Sequence, residues 1–325
     1  MPLRVLITGA GGFIGSHLAE RLVGEGFEVR AIVRYNSMGR RGWLDSSPAA
    51  GKMEILPGDI RDPFFVQQAM DGVDVVFHLA ALIGIPYSYT APDAYVQTNI
   101  TGTLNVLQAA RRHGNIRVVH TSTSEVYGTA RIVPITEEHP LQGQSPYSAT
   151  KIGADKLVES FHLSFDLPTV TVRPFNTFGP RQSARAVIPT IISQILAGNR
   201  TIRLGSTSPT RDLNFVSNTV DAFVLAGTRV GAVGQTIHFG SGREIAIGDL
   251  ARLIAGLMQA EISIETDEAR VRPAGSEVER LIADNRLAAQ VLGWEPRVPL
   301  EEGLEKTIHW MRDNLSLYRA ETYAV

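Results

Sequence analysis

Short apolar runs alternate with amphipathic stretches through the first half of the chain. The runs are typical of buried parallel strands, and stretches with apolar residues three and four positions apart are typical of helices that cover such strands. The pattern predicts helices at residues 16–22, 63–70, 94–113 and 148–165. It predicts strands, the third ending in a loop, at residues 5–7, 28–33, 53–62, 74–81, 117–124 and 168–174. Strands and helices that alternate in this way form a parallel sheet covered on both faces.

After Phe178, shorter elements are separated by loops rich in Pro, Gly, Ser and Arg. Residues 235–242 nevertheless read as one more strand of the large sheet, which predicts two domains that are interleaved along the chain. We expect residues 1–176 and 213–243 to form the first domain, and residues 177–212 and 244–325 to form a smaller α/β domain that binds the substrate. The predicted fold class is therefore α/β, with a doubly wound parallel sheet and a smaller interleaved C-terminal domain.

Three glycines, Gly9, Gly12 and Gly15, join the first strand directly to the first helix. The first glycine lets the backbone turn, the second lets it approach a pyrophosphate, and the third lets the helix pack against the strand. The helix N-terminus then presents free N–H groups and the positive end of its dipole to the phosphates. This order of elements predicts a Rossmann-like dinucleotide-binding unit, with a purely structural glycine turn as the alternative.

Composition narrows the class of protein. The chain has 325 residues, 44% of them hydrophobic, which suffices for a large buried core. The net charge is −2 and no long basic block is present, so neither nucleic acid nor a membrane is an expected partner. The absence of cysteine excludes disulfides and thiolate chemistry, and the eight histidines have no ligand-like spacing, so no metal site is expected. Without a signal peptide or a membrane-spanning run, a soluble cytoplasmic protein is expected.

The end of the second strand indicates which dinucleotide binds. In NAD-binding units a carboxylate stands there to hold the ribose 2′-hydroxyl, whereas this chain has Arg34, which can pair with a 2′-phosphate. This favours NADP over NAD, with NAD still possible, as a tightly bound and recycled cofactor. Asp59 is expected to accept from the adenine amino group, and Asp62 to cap the helix that begins at Pro63. The residues expected at the cofactor are Gly9, Gly12, Phe13, Ile14, Arg34, Asp59, Ile60, Leu79, Ala80, Ala81, Asn99, Tyr147, Lys151 and Pro174.

Tyr147 and Lys151 are four residues apart in a predicted helix and therefore share one face. An ammonium about 4 Å from the phenol is worth about 4 kcal/mol, or about three pKa units, which would bring the pKa of Tyr147 near neutrality. Tyr147 would then take the proton of a substrate alcohol while hydride leaves for a nicotinamide. Lys151 would also hold the cofactor ribose, and Thr123 would hydrogen-bond the reacting oxygen. An exposed helix pair is the alternative.

With these residues the chain resembles the extended short-chain dehydrogenase/reductase family of nucleotide-sugar enzymes. The resemblance runs nearly end to end and is carried, in family order, by TGAGGFIG, GDIRD, FHLAA, TSEVYG, YSATK, RPFNTFGPRQ and RDLNFVSN. It implies a nucleoside diphosphate sugar as substrate. The greatest similarity is to bacterial 4,6-dehydratases that act on nucleotide-linked N-acetylglucosamine in legionaminic-acid-type sugar synthesis.

In that family the residues after the catalytic threonine separate reactions. The 4,6-dehydratases usually have Asp-Glu, in which Glu removes the C5 proton and Asp donates to the departing C6 hydroxyl, whereas this chain has Ser124 and Glu125. Glu125 suffices to start elimination beside a 4-keto group, and Ser124 would relay a proton through water. The triplet that Thr123 begins is also similar to that of uronate decarboxylases, although neither Arg272 nor Arg280 matches their carboxylate-binding arginine. A decarboxylase, a 4-epimerase and a catalytically silent NAD(P)-binding sensor therefore stay open.

The resemblance also implies a substrate site and a dimer. Asn176 resembles the diphosphate ligand of the family, Arg211 and Arg272 resemble its phosphate-binding arginines, and Arg185 is a further candidate after the GPRQ loop. The predicted helices at residues 94–113 and 148–165 would form a four-helix interface in a homodimer. Nothing in the sequence distinguishes a UDP-linked from a GDP-linked substrate, or retention from inversion at C5.

Overall fold

The computed structural model describes residues 2–318, and the last seven residues of the predicted second domain, 319–325, lie outside the described part. The strands are β1 (Arg4–Thr8), β2 (Glu28–Arg34), β3 (Met53–Gly58), β4 (Val75–His78), β5 (Arg117–Thr121), β6 (Thr169–Pro174), β7 (Asn176–Phe178), β8 (Thr201–Leu204), β9 (Thr210–Phe215), β10 (Thr236–Phe239), β11 (Glu244–Ala246) and β12 (Ser263–Thr266). The helices are α1 (Phe13–Gly24), α2 (Pro63–Ala69), α3 (Ile85–Thr90), α4 (Pro92–Tyr95), α5 (Gly102–Arg112), α6 (Pro146–Phe165), α7 (Val187–Leu196), α8 (Val216–Thr228), α9 (Ile247–Leu257), α10 (Arg286–Leu292) and α11 (Leu300–Asp313).

A seven-stranded sheet with the order β10-β6-β5-β4-β1-β2-β3 forms the centre of the molecule. Every neighbouring pair in it is parallel, which confirms the predicted Rossmann-like α/β class. β1 lies between β2 and β4, so the strand order reverses at this point. Ligands of such sheets bind at the reversal, beyond the carboxyl ends of the strands.

The sheet is hydrophobic because both of its faces are covered. Val5, Leu6 and Ile7 of β1 are fully buried, although their side chains alternate between the faces. On one face, Val5 and Ile7 belong to the core that includes residues of α1 and α8. On the other face, Leu6 belongs to the core that includes residues of α2, α5 and α6. An uninterrupted apolar run is thus the pattern of a strand with two buried sides.

Two small sheets lie in the later part of the chain. One has the order β11-β9-β7, with β9 central, and the other pairs β12 with β8. β10 instead pairs with β6 in the large sheet, as the pattern at residues 235–242 predicts. The chain therefore returns to the large sheet after entering a small one, while the domain boundaries stated above stay a prediction. No helix within residues 2–318 is long and apolar enough to cross a membrane.

The predicted helix at residues 94–113 differs from the structure in one respect. α4 ends at Tyr95, the π-helical turn Val96–Thr101 follows, and α5 begins at Gly102. Such a turn widens the helix by one residue and often occurs at functional sites. Hydrophobic spacing over one turn does not distinguish it from an α-helix.

Candidate active site

A cavity of about 1450 Å³ opens at the carboxyl edge of the large sheet and continues between the strand ends and the loops of the small sheets. Two predicted site residues, Asn99 and Lys151, do not contribute to its lining. The structure brings the other predicted site residues together around this cavity: Gly9, Gly12, Phe13, Ile14, Arg34, Asp59, Ile60, Leu79, Ala80, Ala81, Thr123, Ser124, Glu125, Tyr147, Pro174, Asn176, Arg185, Arg211 and Arg272.

The glycine turn forms one end of the cavity. Gly9 has φ +73°, and a Cβ atom on it would lie 2.8 Å from the backbone nitrogen of Ala80. Gly12 precedes α1 in extended conformation, and within residues 2–318 no side chain caps the first turn of this helix. The unpaired N–H groups of that turn and the positive dipole end lie at the cavity. This cradle fits the pyrophosphate of a dinucleotide.

Charged side chains surround the part of the cavity beyond β2. Arg34 is exposed there and lines the cavity, whereas Arg41 is ion-paired with Asp45 at 3.1 Å. Asp59 accepts from the guanidinium of Arg61, at 2.6 Å from Nη2, and this hydrogen bond is the largest cause of its lowered pKa. Asp59 is therefore an ionised acceptor at physiological pH. Asp62 caps α2 by accepting from two backbone N–H groups, as predicted.

Asn99 lies behind the cavity wall, unlike the prediction that it contacts the cofactor. Its side chain is 1% exposed, accepts from the backbone nitrogen of Leu82 at 2.9 Å and donates to the Leu82 carbonyl at 3.0 Å. It also donates to the Thr150 hydroxyl of α6 at 3.1 Å. The π-helical turn places the amide at this position. Asn99 therefore joins the loop after β4 to the helix that carries Tyr147.

The N-terminus of α6 fixes Tyr147 in the cavity. Ser145 and Ser148 form a reciprocal capping box, and Pro146 occupies the first turn, so the helix begins two residues before its predicted start. One turn after Tyr147, Lys151 donates from Nζ to the carbonyl of Thr121 at 2.6 Å. Tyr147 and Lys151 are 7% and 4% exposed. The helix thus holds both residues against the end of β5.

The expectation that Lys151 lowers the pKa of Tyr147 is wrong for this arrangement. Burial is the largest influence and raises the pKa of Tyr147, while its hydrogen bond with the Thr123 side chain lowers it. Burial also lowers the pKa of Lys151 to about 8. The physical reason is that the protein interior disfavours both ionised forms, and the ammonium is directed to the Thr121 carbonyl. The spacing in the sequence predicts that the two groups are close together. It does not predict the free-energy cost of burying their ionised forms.

Glu125 and Ser124 lie directly after Thr123 in a 3₁₀ turn. The Thr123 hydroxyl caps this turn by accepting from the backbone nitrogen of Glu125 at 3.2 Å. Ser124 is 2% exposed, and the Glu125 side chain is 12% exposed. The negative charge of Glu125 raises the pKa of Tyr147, so the carboxylate and the phenol share one region of the cavity.

Two arginines and a second carboxylate face Glu125. Arg272 Nη1 lies 4.0 Å from Glu125 Oε2 and 3.7 Å from Glu277 Oε1. Arg211 Nη2 donates to the same Glu277 oxygen at 3.2 Å. Sequence reasoning missed Glu277, for which the only signal is a carboxylate five residues after Arg272. Arg280 instead pairs with Glu244 outside the cavity lining.

Asn176 and Arg185 line the same cavity. Asn176 donates to the carbonyl of Asp212 at 3.5 Å, and Arg185 Nε donates to the Ser183 hydroxyl at 3.3 Å. The Arg185 guanidinium lies against Gly84, where any Cβ atom would collide with it. Arg185 therefore reaches from the loop after β7 to the loop after β4.

Known proteins share this architecture and much of the sequence. A family model described as GDP-mannose 4,6 dehydratase matches residues 6–307. The chain is 36% identical to a UDP-glucose 4-epimerase of Mycolicibacterium smegmatis, covering 96% of this chain and 99% of that one. It is 34% identical to UDP-glucuronic acid decarboxylase 1 of Xenopus tropicalis, covering 96% and 73%.

A solved structure is also similar over nearly the whole chain. The dTDP-glucose 4,6-dehydratase DesIV of Streptomyces venezuelae, with NAD bound, superposes with a TM-score of 0.89 at 30% identity, covering 97% of this chain and 99% of that one. These similar proteins carry three different activities. Similarity to these proteins therefore shows the family of the chain but does not decide which of the three reactions it catalyses.

Proposed function

The chain belongs to the extended short-chain dehydrogenase/reductase family of nucleotide-sugar dehydratases and epimerases, and we propose that it is a 4,6-dehydratase acting on UDP- or GDP-N-acetylglucosamine. The reaction oxidises C4, removes the C5 proton, expels the C6 hydroxyl as water and returns hydride to C6. The product is a 4-keto-6-deoxy sugar, and the cofactor ends in its original state.

The observation that carries this proposal is the carboxylate of Glu125 beside Thr123 and Tyr147 in one cavity. A 4-keto group makes the C5 hydrogen acidic, so a carboxylate near the reacting oxygen can remove it. A 4-epimerase needs no such base. The position of Glu125 therefore favours elimination.

Each step has a group in this chain to carry it. Tyr147, as its phenolate, takes the proton of the C4 hydroxyl, Thr123 holds that oxygen, and Lys151 holds the end of β5 through the Thr121 carbonyl. A nicotinamide cofactor, held at the turn of Gly9 and Gly12, would supply the hydride chemistry at C4 and C6. Glu125 takes the C5 proton and returns it, while Ser124 relays a proton through water to the departing C6 oxygen.

A uronate decarboxylase is the second candidate, and one observation favours it. Arg272 lies 4.0 Å from Glu125, although its sequence context matches no decarboxylase motif. A guanidinium in that position can hold a sugar carboxylate at C5. In the dehydratase the same arginine holds the diphosphate together with Arg211 and Asn176, and Arg185 contacts the sugar.

One incubation separates these reactions. The protein is mixed with UDP-N-acetylglucosamine, GDP-N-acetylglucosamine and UDP-glucuronate, and the products are analysed by mass spectrometry. A dehydratase removes one water from an N-acetylglucosamine substrate with no net change in nicotinamide absorbance. Release of carbon dioxide from the uronate would establish the decarboxylase. An isomer of unchanged mass, separated from the substrate by chromatography before the mass analysis, would establish the epimerase, and no turnover of any substrate would support the sensor.

We propose NADP rather than NAD as the cofactor, because Arg34 is exposed at the end of β2 where a carboxylate would select NAD. Arg34→Ala is expected to weaken NADP binding by about tenfold, equivalent to about 1.4 kcal/mol, and to leave NAD binding unchanged. Titration of both cofactors measures this difference. Arg41→Ala is the matched control because Arg41 is already paired with Asp45.

We also propose a homodimer formed through α5 and α6. Leu163 of α6 is 75% exposed although it is large and apolar, and the neighbouring Phe165 is 38% exposed. Light scattering is expected to give about twice the chain mass of 35.4 kDa. A monomer mass at micromolar concentration would refute this assembly.

A further inference from the structure

α6 carries a third buried polar residue on the face that holds Tyr147 and Lys151. Asp155 follows Lys151 by four residues, so all three side chains lie along one stripe of the helix. Asp155 is 4% exposed and does not line the cavity. Burying an ionised carboxylate costs free energy unless it is paired and hydrogen-bonded. The groups that pair with Asp155 therefore indicate what it does in the fold.

Three side chains from β5, from the residue directly after β5 and from β6 donate to Asp155. The Ser122 hydroxyl donates to Oδ2 at 2.7 Å, and His120 Nε2 lies 3.2 Å from Oδ1. Arg173 of β6 donates to Oδ2 from Nη2 at 2.9 Å. Burial raises the pKa of Asp155, but the hydrogen bond with His120 and the charges of Arg173 and Lys151 outweigh it and hold the pKa at about 2, so Asp155 is ionised and can only accept. His120 must then carry its proton on Nε2.

Ser122 connects this carboxylate to the reacting groups. It stands between Thr121, whose carbonyl accepts from Lys151 Nζ at 2.6 Å, and Thr123, whose side chain hydrogen-bonds Tyr147. The Asp155–Ser122 hydrogen bond therefore ties α6 to the residues on both sides of Ser122. A shift at this point moves the ammonium acceptor and the threonine hydroxyl together.

The same carboxylate is the counter-charge of Lys151. The ammonium acts electrostatically on the imidazoles of His78 on β4 and His120 on β5 and on the Asp155 carboxylate, whose other side is held by the Arg173 guanidinium of β6. Burial keeps both imidazoles neutral by lowering their pKa values. Among residues 2–318, Asp155 is the group whose charge raises the pKa of Lys151.

We propose that Asp155 is a positioning residue that sets the end of β5 through Ser122 and keeps Lys151 in its ammonium form. The positioning role rests on the proposed function, whereas the charge role concerns the protein alone. A purely structural role, in which Asp155 only neutralises buried Arg173, is the competing explanation. It predicts loss of stability without any change in the titration of Lys151.

The first experiment measures that titration without substrate. The chain has four lysines, Lys52, Lys151, Lys156 and Lys306, so selective labelling of lysine side chains gives four NMR signals. Lys151→Arg identifies the signal of interest. We expect Lys151 to titrate near pH 8 in the wild-type protein and at lower pH in Asp155→Asn. An unchanged titration in a folded Asp155→Asn protein would overturn the charge role.

The second experiment breaks the link and leaves the Asp155–Arg173 pair intact. Ser122→Ala is expected to lower kcat about tenfold, equivalent to about 1.4 kcal/mol, with little change in KM. Ser193→Ala is the matched control, since this buried hydroxyl bonds only within α7. If Tyr147→Phe is inactive while Ser122→Ala keeps the wild-type kcat, the positioning role fails and the proposed function stands. If Tyr147→Phe is fully active, the proposed function fails, and the titration result is unaffected.

Should Asp155→Asn not fold, the titration is read in Ser122→Ala. There Asp155 keeps its charge, so the Lys151 signal is expected to stay near pH 8 while kcat falls. A titration that moves to lower pH in this variant would contradict the assignment of the charge role to Asp155.

Discussion

The Tyr147 phenol occupies a site in which burial favours its neutral form. Its pKa is raised, so the resting residue keeps its proton and hydrogen-bonds with Thr123. In the proposed reaction, removal of a proton from the substrate alcohol has to overcome the burial that raises the pKa of Tyr147. The proposal assigns this proton transfer to the phenol oxygen.

Replacement of this oxygen tests the assignment. Tyr147→Phe is expected to lower kcat by about 10²-fold or more, because a positioned general base contributes at least that much. Turnover of the nucleotide sugar and the thermal unfolding midpoint are measured together. Tyr95→Phe is the control, since its ring packs edge-on against Tyr147 at 6.3 Å while its hydroxyl donates to the Gly84 carbonyl. Equal losses in the two variants would contradict a specific role of Tyr147.

Glu125 is expected to act after the first hydride transfer. Glu125→Gln should still oxidise C4 slowly but lose exchange of the C5 hydrogen, because an amide is a very weak base. Deuterium incorporation at C5, followed by NMR in heavy water, measures this step. Exchange at the wild-type rate would contradict the assignment.

Glu277→Gln is the matched control for that experiment. Both carboxylates face Arg272, at 4.0 Å from Glu125 and 3.7 Å from Glu277, but only Glu125 lies in the 3₁₀ turn that Thr123 caps. Glu277 also holds Arg211 at 3.2 Å, so its loss should change KM through the two arginines and leave C5 exchange intact. The two variants thereby separate proton removal from anion binding.

Among the elements, the turn between β1 and α1 has little room for change. Gly9→Ala is expected to abolish cofactor binding, since the new Cβ would lie 2.8 Å from Ala80 N and the residue would keep φ +73°. Gly26→Ala is the control: its φ is +86°, but no atom lies within 4 Å of the new Cβ. Both substitutions destabilise the backbone by about 1–2 kcal/mol because a residue with a Cβ atom is forced into positive φ. Only the Cβ atom at residue 9 also collides with a residue that lines the cavity. Cofactor titration distinguishes them, and equal affinity in both would refute a steric role for Gly9.

The elements that the sequence predicts well are those whose cause is local. The apolar run at Val5–Ile7 and the cap at Asp62 need only neighbouring residues, and both occur in the structure. In the π-helical turn, the side chain of Asn99 lies behind the cavity wall and bonds to Leu82 and Thr150. Both partners are distant from Asn99 in sequence. The raised pKa of Tyr147 likewise depends on burial by the whole fold. The position of Asn99 and the pKa of Tyr147 are therefore set by long-range packing, which the sequence motifs do not describe.

Across the whole molecule, burial holds several histidines neutral, and hydrogen bonds fix where the protons lie around them. Arg173 can only donate, and it does so to the Tyr127 hydroxyl at 2.5 Å. Tyr127 therefore directs its own proton to His238 Nε2, 2.6 Å away, which must accept and be unprotonated. Burial lowers the pKa of His238 to about 3 and that of His120 to about 4.

This arrangement makes stability depend on pH in a defined direction. An unfolded histidine gains its proton below about pH 6.5, whereas folded His120 and His238 gain theirs only near pH 4 and pH 3. The unfolded chain therefore binds more protons in this interval, and the free energy of unfolding falls as pH falls. At pH 5 each histidine is expected to cost about 2 kcal/mol relative to pH 7.5. Asp155, with a pKa of about 2, adds a loss only below about pH 4.

Urea unfolding followed by tryptophan fluorescence at pH 7.5 and pH 5 measures this difference. His309→Gln, at an exposed position of α11, is the control and should leave the pH dependence unchanged. His120→Gln removes one of the buried histidines whose pKa is lowered, so it should reduce the difference between the two pH values even though it lowers stability at both. A wild-type free energy of unfolding that is equal at pH 5 and pH 7.5 would show that the buried histidines are protonated as readily in the folded molecule as in water.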